Sequence, residues 1–223
     1  MNKNRLIIAV DGPAGAGKSS VSKEAAIRLG LKYIDSGAVY RAITLFLLER
    51  DGKIEKGIDY SGEIKDLNIT QIFNNDGNSL TFLNSRDVSN EIRNEVITKN
   101  IGIVADDIGV RNFVNSLLRK WASSESIIMD GRDIGSVVFP DADIKIYLDA
   151  SVDERALRRC GEYKDRGKNV DIKDIRKQIA IRDSQDKERP FGRLIRSEDA
   201  IYIDTDKLTQ EEVTRKIVAL IGL

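Results

Sequence analysis

Short apolar runs alternate along this chain with longer segments of helical periodicity. Uninterrupted apolar runs are typical of strands buried on both faces of a sheet. Because helical segments separate these runs, the pattern predicts a parallel sheet with right-handed crossover connections, and therefore an α/β fold with helices on both faces. The five core strands are predicted at residues 6–10, 32–35, 126–130, 144–149 and 200–204.

Apolar residues three and four positions apart predict the helices. The first covers residues 20–29 with Gly30 as its C-cap, and the second covers 38–48 after a turn at Ser36-Gly37. A closing helix is predicted at 209–220. Two more helices are predicted between residues 92 and 121, with buried faces formed by Ile92, Val96, Ile97, Ile101, Val104 and Ile108 in one and by Val110, Phe113, Val114, Leu117 and Trp121 in the other.

Two segments differ from this alternating pattern. From about 55 to 91, strand-like stretches at 68–73 and 79–83 flank a turn cluster at 74–78, which predicts a small antiparallel insert. From 153 to about 187 the chain is mostly charged and helical, with a break at 166–169. We therefore expect a single domain with a core of residues 1–54, 92–152 and 197–223, an insert at about 55–91 and a lid at about 153–196.

The composition is that of a globular protein and excludes several kinds of chemistry. Lysine plus arginine and aspartate plus glutamate both number 36, so charge gives no reason to expect nonspecific binding to nucleic acid or membranes. The chain has no histidine, which excludes histidine bases and ligands, and its single cysteine cannot form an internal disulfide. Without a long apolar run or a leader sequence, we expect a cytoplasmic monomer acting on small molecules.

The segment after the first predicted strand carries the clearest chemistry. It matches G-x-x-x-x-G-K-[ST], a phosphate-binding loop, and a helix follows it as that motif requires. Lys18 is expected to reach the β- and γ-phosphates of a nucleotide, while the Ser19 hydroxyl is expected to ligate Mg²⁺. An ordinary glycine-rich turn is the alternative. The expected nucleotide-binding residues are Gly12, Pro13, Ala14, Gly15, Ala16, Gly17, Lys18, Ser19 and Ser20.

Polar residues also follow the second and third strands. Ligands bind open α/β sheets outside the carboxyl ends of the strands, so residues 35–41 and 130–135 are expected at the site. Asp130 is placed to hold Mg²⁺ and Arg132 to bind an anion through two donors. In the alternative interpretation, residues 130–135 form a tight turn that aspartate side chains stabilise. Tyr40 is then an ordinary packed aromatic residue, and Arg41 is a solvated surface charge. The lid contains many arginines, which are either a solvated helix face or cations for phosphoryl transfer.

Together these motifs resemble bacterial cytidylate kinases. The resemblance covers nearly the whole chain and rests on residues 12–20, 35–41, 87–89, 91–93, 110–111, 130–133 and 137–142. It implies a P-loop kinase fold with a five-stranded parallel sheet, an antiparallel CMP-binding insert and a helical lid. It also implies transfer of the γ-phosphoryl group of ATP, with Mg²⁺, to CMP or dCMP.

The resemblance assigns roles to individual residues. Ser36, Tyr40, Arg41, Arg132 and Arg189 match residues around the CMP phosphate and ribose. Arg111 and Asp133 match the residues that bind cytosine, and Arg182 and Asp186 match residues near the ribose hydroxyls. Arg155, Arg158 and Arg159 resemble lid arginines of the wider nucleoside monophosphate kinase group, and Arg155 and Arg158 are expected on this basis to bind ATP. The catalytic residues expected on this basis are Lys18, Arg132, Arg159 and Arg189, and the expected metal ligands are Ser19 and Asp130.

Two other functions fit parts of this pattern. A GTPase-type switch would need a guanine-binding Asn-Lys-x-Asp motif after a late strand, which this chain does not contain. A kinase for another small acceptor, such as UMP, AMP or shikimate, fits the loop equally well. The insert and the pair Arg111 and Asp133 favour CMP over these acceptors.

Overall fold

A computed structural model describes residues 5–74, 77, 79–165 and 167–222. The predicted turn residues Asn75, Asp76 and Asn78, and Arg166 of the predicted lid break, lie outside the described residues. The strands are β1 (Ile7–Asp11), β2 (Lys32–Asp35), β3 (Ile69–Phe73), β4 (Ser79–Leu83), β5 (Arg86–Asp87), β6 (Ile127–Asp130), β7 (Ile144–Asp149) and β8 (Ile201–Asp204).

Helices connect these strands. They are α1 (Lys18–Leu29), α2 (Ser36–Asp51), α3 (Ser61–Ile64), α4 (Glu95–Asp106), α5 (Ile108–Trp121), α6 (Val152–Asp165), α7 (Ile172–Glu188) and α8 (Gln210–Leu220). A 3₁₀ turn covers Glu91–Arg93, and a π-helical turn covers Ile134–Val138. Within the described ranges, none of the helices combines the length and the apolar composition needed to cross a bilayer.

The core is a five-stranded parallel sheet in the order β2-β6-β1-β7-β8. This confirms the predicted α/β fold with five parallel strands. Asp130 at the end of β6 is in register with Asp35 of β2 on one side and with Val10 of β1 on the other. The carboxyl ends of these strands therefore lie side by side, as the sequence analysis assumed.

Alternation along β1 shows how helices cover both faces of the sheet. Ile7 and Ala9 pack into the cluster formed with α2, α4 and α5, whereas Ile8 and Val10 pack into the cluster formed with α1 and α8. Successive side chains of a strand point to opposite faces, so a strand between two helical layers needs apolar residues at every position. The continuous apolar run of β1 follows from this placement.

The insert and the lid have their own packing. Strands β3, β4 and β5 form a separate antiparallel sheet. Helices α6 and α7 pack on each other around Ala156, Ile175 and Ile179, a small cluster distinct from the two that cover the core sheet. Helix α3 and strand β5 were not predicted, because two to four residues are too few to show a periodicity.

The predicted turn at Ser36-Gly37 is wrong, because α2 begins at Ser36. Asp35 is the N-cap of this helix, and its carboxylate accepts a hydrogen bond from the backbone N–H of Ala38 at 2.9 Å. Aspartate is a preferred N-cap residue because its side chain satisfies one of the free N–H groups of the first turn. Helix α1 likewise begins at Lys18, two residues before the predicted start at Ser20.

The predicted buried face before residue 109 is also partly wrong. Val96 is 57 % exposed and Ile108 is 60 % exposed, whereas Ile97 is buried. Val96 lies inside α4 but outside its buried face, which consists of Ile97, Ile101, Val104 and Ala105. Ile108 is exposed because α4 ends at Asp106, and Asp107 starts a new helix by accepting a hydrogen bond from the Val110 N–H at 2.7 Å. This break changes the helical phase, so Ile108 belongs to the first turn of α5.

Candidate active site

The phosphate-binding loop lies between β1 and α1 and depends on glycine at both of its ends. Gly12 has a φ of +147°, and a Cβ there would collide with the carbonyl oxygen of Leu148 in β7. Gly17 is the N-cap of α1 in the left-handed conformation, with a φ of +83°. The loop therefore directs its backbone toward the N-terminus of α1, where free N–H groups and the helix dipole favour an anion.

Lys18 is buried at the base of this loop and forms no ion pair with the carboxylates of the described residues. Its Nζ donates a hydrogen bond to the carbonyl of Pro13 at 2.7 Å, and the residue is only 5 % exposed. Burial, together with the nearby charge of Arg132, lowers the pKa of Lys18 to about 7, although Asp130 and Asp11 act in the opposite direction. An anion bound in the loop would stabilise the charged form of Lys18.

Asp130, at the end of β6, connects the loop to the second strand. Its carboxylate accepts hydrogen bonds from Ser19 Oγ at 2.8 Å and from Tyr33 Oη at 2.5 Å. Its backbone carbonyl accepts one from Ser36 Oγ at 2.7 Å. Burial and the nearby carboxylate of Asp35 raise the pKa of Asp130 to about 6. A buried carboxylate with this pKa would be stabilised by an added cation.

The contact between Ser19 and Asp130 fits the predicted magnesium site. A hydroxyl and a carboxylate are hard oxygen donors, and Mg²⁺ in kinases is held by few protein ligands together with phosphate oxygens and water. Among the described residues, no group of three or more His, Cys, Asp or Glu side chains is arranged to hold a metal ion.

A second group of predicted residues lies beyond Asp130, around a buried ion pair. Arg111 Nη1 donates to Asp133 Oδ2 at 2.8 Å, and Arg111 Nε donates to the carbonyl of Ala105 at 2.7 Å. The Arg111 guanidinium lies 5.7 Å from the centre of the Tyr40 ring. The backbone of Gly192 covers this pair so closely that a Cβ there would collide with both side chains. Burial raises the pKa of Asp133, and Arg111 offsets part of this effect.

Asp186 of α7 joins the lid to the loop after β6. It accepts hydrogen bonds from Arg132 Nε at 2.9 Å and from Arg189 Nη2 at 3.1 Å. Arg189 also donates to Asp106 at 2.6 Å. Burial acts to raise the pKa of Asp186, but Arg132 and the other nearby arginines outweigh it and lower this pKa. This network brings the predicted site residues Arg132, Asp186 and Arg189 together.

Arg41 and Arg182 are two partly buried cations without an ion-pair partner among the described residues. Arg41 donates only to a carbonyl and a threonine hydroxyl, and no side-chain hydrogen bond is formed by Arg182 within this part of the chain. Burial lowers the pKa of Arg41 to about 10, and that of Arg182 to about 9, with repulsion from Arg132 and Arg159 adding to both shifts. Four arginines that repel one another form a site suited to a multiply charged anion.

Two lid arginines contact the core: Arg155 contacts the phosphate-binding loop, and Arg158 contacts the loop after β8. Arg155 pairs with Asp183 through two hydrogen bonds, at 2.9 and 2.6 Å, and donates to the carbonyl of Ala14 at 3.2 Å. Arg158 donates to the side chain and backbone of Thr205, which follows β8. Both guanidinium groups are therefore engaged within the protein, next to the loop.

Arg159 lies on the side of α6 that faces the start of α4. It donates to Glu162 and faces a cleft of about 250 Å³ between α6 and the start of α4. Arg93, which the sequence analysis did not select, lines the same cleft and donates to Asp35 Oδ2 at 3.4 Å. The sequence around Arg93 does not predict this contact, because the cleft lies between α4 and the lid, which are far apart in the sequence.

Two further residues were missed. The Gln71 side chain of β3 donates to the backbone carbonyl of Asp35 at 2.8 Å and accepts from its N–H at 3.0 Å, which joins the insert to the edge strand β2. Asp11 ends β1 and contacts the loop after β6. The rule that selected Asp130, a carboxylate at the carboxyl end of a core strand, would also have selected Asp11.

A parallel sheet with a phosphate-binding loop after its central strand, and arginines of a helical lid around that loop, defines a P-loop kinase. Comparison with known proteins identifies the family. The family model described as cytidylate kinase matches residues 8–222. This chain therefore belongs to the cytidylate kinase family.

Individual relatives agree with this assignment. A cytidylate kinase of Exiguobacterium sibiricum is 42 % identical over 216 residues, covering 97 % of this chain and 96 % of the relative. One of Thermosipho melanesiensis is 43 % identical over 218 residues, covering 96 % and 95 %. A solved structure of an uncharacterized protein from Eubacterium ventriosum has a TM-score of 0.52 at 16 % identity, covering 98 % of this chain and 99 % of that one, and shows a shared fold.

Proposed function

We propose that this protein transfers the γ-phosphoryl group of ATP to CMP or dCMP, giving ADP and CDP or dCDP. The observation that carries this proposal is the arrangement of two polar sites at one edge of the sheet. The buried Lys18 lies on one side and the ion pair of Arg111 and Asp133 on the other. Membership of the cytidylate kinase family supports the same reaction.

The donor ATP binds at the loop between β1 and α1 in this proposal. The backbone N–H groups of residues 12–20 bind its phosphates, and Lys18 contacts the bridge between the β- and γ-phosphates. Ser19 and Asp130 hold Mg²⁺, which neutralises charge on these phosphates when bound. Arg155 and Arg158 hold the lid and the loop after β8 beside the ATP site.

The acceptor binds at the second site. Its phosphate and ribose contact the residues near the end of β2 and the loop after β6, namely Ser36, Tyr40, Arg41, Arg132 and Arg189. Asp133 accepts a hydrogen bond from the N4 amino group of cytosine, while Arg111 donates to N3 or O2. Arg182 and Asp186 bind near the ribose hydroxyls. The unpaired charges of Arg41 and Arg182 are neutralised by the phosphates.

The reaction needs no general base. A phosphate monoester has a second pKa of about 6, so at neutral pH the attacking oxygen of CMP is already an anion. Catalysis then consists of positioning the two substrates and neutralising the charge that develops between them. Lys18, Arg132, Arg159 and Arg189 supply this positive charge, which is consistent with a chain that contains no histidine.

A coupled assay of ADP release with a panel of acceptors tests this proposal. The panel contains CMP, dCMP, UMP, AMP and shikimate, with ATP hydrolysis in the absence of acceptor as the background. We expect kcat/KM for UMP to be at least ~10²-fold below that for CMP, because UMP would place its O4 acceptor against the Asp133 carboxylate. Equal use of UMP and CMP, or a preference for shikimate, would contradict the proposed substrate.

A further inference from the structure

The residues of the acceptor site on the loop after β6 are followed by an unusual turn. Arg132 and Asp133 lead directly into the π-helical turn Ile134–Val138. The Val138 N–H bonds to the carbonyl of Asp133 at 3.1 Å, and the Phe139 N–H bonds to that of Ile134 at 2.7 Å. π-Helical turns are rare and occur frequently at functional sites. The position of Asp133 therefore depends on what holds this turn in place.

Asp11 holds the beginning of the turn from inside the protein. Its two carboxylate oxygens accept hydrogen bonds from the N–H of Ile134 at 2.8 Å and from that of Gly135 at 2.7 Å. Asp11 is only 5 % exposed. A buried carboxylate is costly unless donors satisfy it, and both backbone donors here come from the turn. The same residue directly precedes Gly12, the first residue of the phosphate-binding loop.

Arg119 holds the end of the turn from the outside. Its Nε donates to the carbonyl of Val138 at 2.9 Å, and its Nη2 donates to that of Val137 at 2.9 Å. Arg119 lies in the last turn of α5, the helix that also carries Arg111. The two elements that supply the buried ion pair of the acceptor site are therefore connected a second time through this contact.

We propose that Asp11 and Arg119 are positioning residues for the acceptor site. They hold the π-helical turn at its two ends and thereby fix Asp133 and Arg132 relative to Arg111 and to the phosphate-binding loop. Neither residue contacts the nucleotides in this inference, which rests on the proposed function. Its consequence is that loosening the turn changes the choice of acceptor more than it changes ATP binding.

Two variants test this inference. Asp11→Asn keeps the side-chain size but replaces one acceptor with an NH₂ group that faces a backbone N–H. Arg119→Met keeps most of the aliphatic side chain and removes both donors. The matched controls are Asp143→Asn, which alters a carboxylate that accepts from the Ile7 N–H at the other end of β1, and Arg215→Met on α8. Circular dichroism checks the fold of each variant.

We expect Asp11→Asn to lower kcat/KM for CMP by about 10- to 100-fold, since small displacements of positioning groups have effects of this size. The ratio of kcat/KM for CMP to that for UMP should fall at least about fivefold, because misplaced hydrogen-bonding groups discriminate less between bases. The affinity of Arg119→Met for a nonhydrolysable ATP analogue, measured by calorimetry, should change less than about threefold, because Arg119, unlike Asp11, is not among the main charged groups that shift the pKa of Lys18. Arg119→Met should show the same pattern with smaller changes, and the controls should show neither.

Arg119→Met is the decisive variant if Asp11→Asn fails to fold, and it also leaves the electrostatic environment of Lys18 intact. A folded Arg119→Met protein that keeps the wild-type ratio of CMP to UMP use would overturn the inference. So would equal losses for both acceptors. A wild-type protein that does not prefer CMP would instead contradict the proposed function before any variant is compared.

Discussion

At the scale of single residues, the site combines buried and partly buried charges that lack full compensation. Among the described residues, the Lys18 side chain donates only to the carbonyl of Pro13, and neither Arg41 nor Arg182 has an ion pair. Burying a charge without a partner is costly, so such groups are expected where a ligand supplies the missing charge. The phosphates of two nucleotides would supply it here.

Lys18→Ala should therefore affect the reaction far more than the fold. If Lys18 neutralises charge that develops between the β- and γ-phosphates, its loss should lower kcat on the order of 10³-fold. Steady-state kinetics measures this loss, and circular dichroism checks the fold. Lys216→Ala, which removes an exposed lysine from α8, is the control. Near wild-type turnover in a folded Lys18→Ala protein would contradict the role of the loop.

Asp133→Asn tests how the base is selected. The amide of the substituted side chain can turn to donate a hydrogen bond to O4 of uracil. The ratio of kcat/KM for CMP to kcat/KM for UMP should therefore decrease, mainly because turnover of CMP falls. A buried polar group without a partner costs about 1–3 kcal/mol, which is enough to change the ratio by about tenfold or more. Asp199→Asn, which alters an exposed carboxylate that pairs with the buried Lys145, is the control. An unchanged ratio would mean that another residue selects the base.

At the scale of elements, the lid is joined to the core mainly by polar contacts. Helices α6 and α7 share their own small apolar cluster. Their links to the rest of the protein include the ion pair of Lys168 with Glu95 at 2.7 Å and the hydrogen bond from Arg155 to Ala14. The more buried pairs of Asp186 with Arg132 and of Arg189 with Asp106 also join the lid to the core. Because exposed ion pairs contribute little stability, the rest of the segment is held to the core only weakly.

We therefore expect residues 153–196 to exchange amide hydrogens faster than the core when no ligand is bound. An open site would let water accept the phosphoryl group, so closure should require both substrates. Protection should rise most when ATP and CMP analogues are bound together, and less with either alone. Helix α8, which packs on the core sheet, is the internal reference. Identical exchange with and without ligands would contradict a closing lid.

At the scale of the whole molecule, one chain supplies every residue that we assign to the two proposed nucleotide sites. The loop, the end of β6 and the lid meet at the same edge of one sheet. The large apolar side chains that remain exposed are distributed over many elements, and they include Ile108 of α5, Leu157 of α6 and Leu220 of α8. Isolated apolar residues of this kind are normal on a protein surface and do not require a partner.

We accordingly predict that the protein acts as a monomer. Sedimentation should give the mass of a single chain, and specific activity should stay constant when the enzyme is diluted over about three orders of magnitude, since no second chain is needed to complete the site. A parallel loss of activity and of a dimer on dilution would show that the partner chain contributes to catalysis.

Features that depend on neighbouring residues could be predicted from the sequence. The phosphate-binding loop is contiguous from Gly12 to Ser19, and its flanking strand and helix are visible as an apolar run and a helical periodicity. The five core strands, the insert and the two lid helices are visible for the same reason. Because the carboxyl ends of parallel strands share one edge of a sheet, it also followed that Asp35 and Asp130 lie near the loop.

Contacts between distant segments were decided only by the tertiary structure. Asp11 and the turn that it holds are 123 positions apart, and Gln71 reaches a strand 36 positions earlier. Strand order and register place these groups together, and several different orders of the same strands would have been compatible with the local patterns. A hydrogen bond of about 3 Å requires both partners to be positioned in three dimensions, whereas periodicity specifies only the face on which each residue lies.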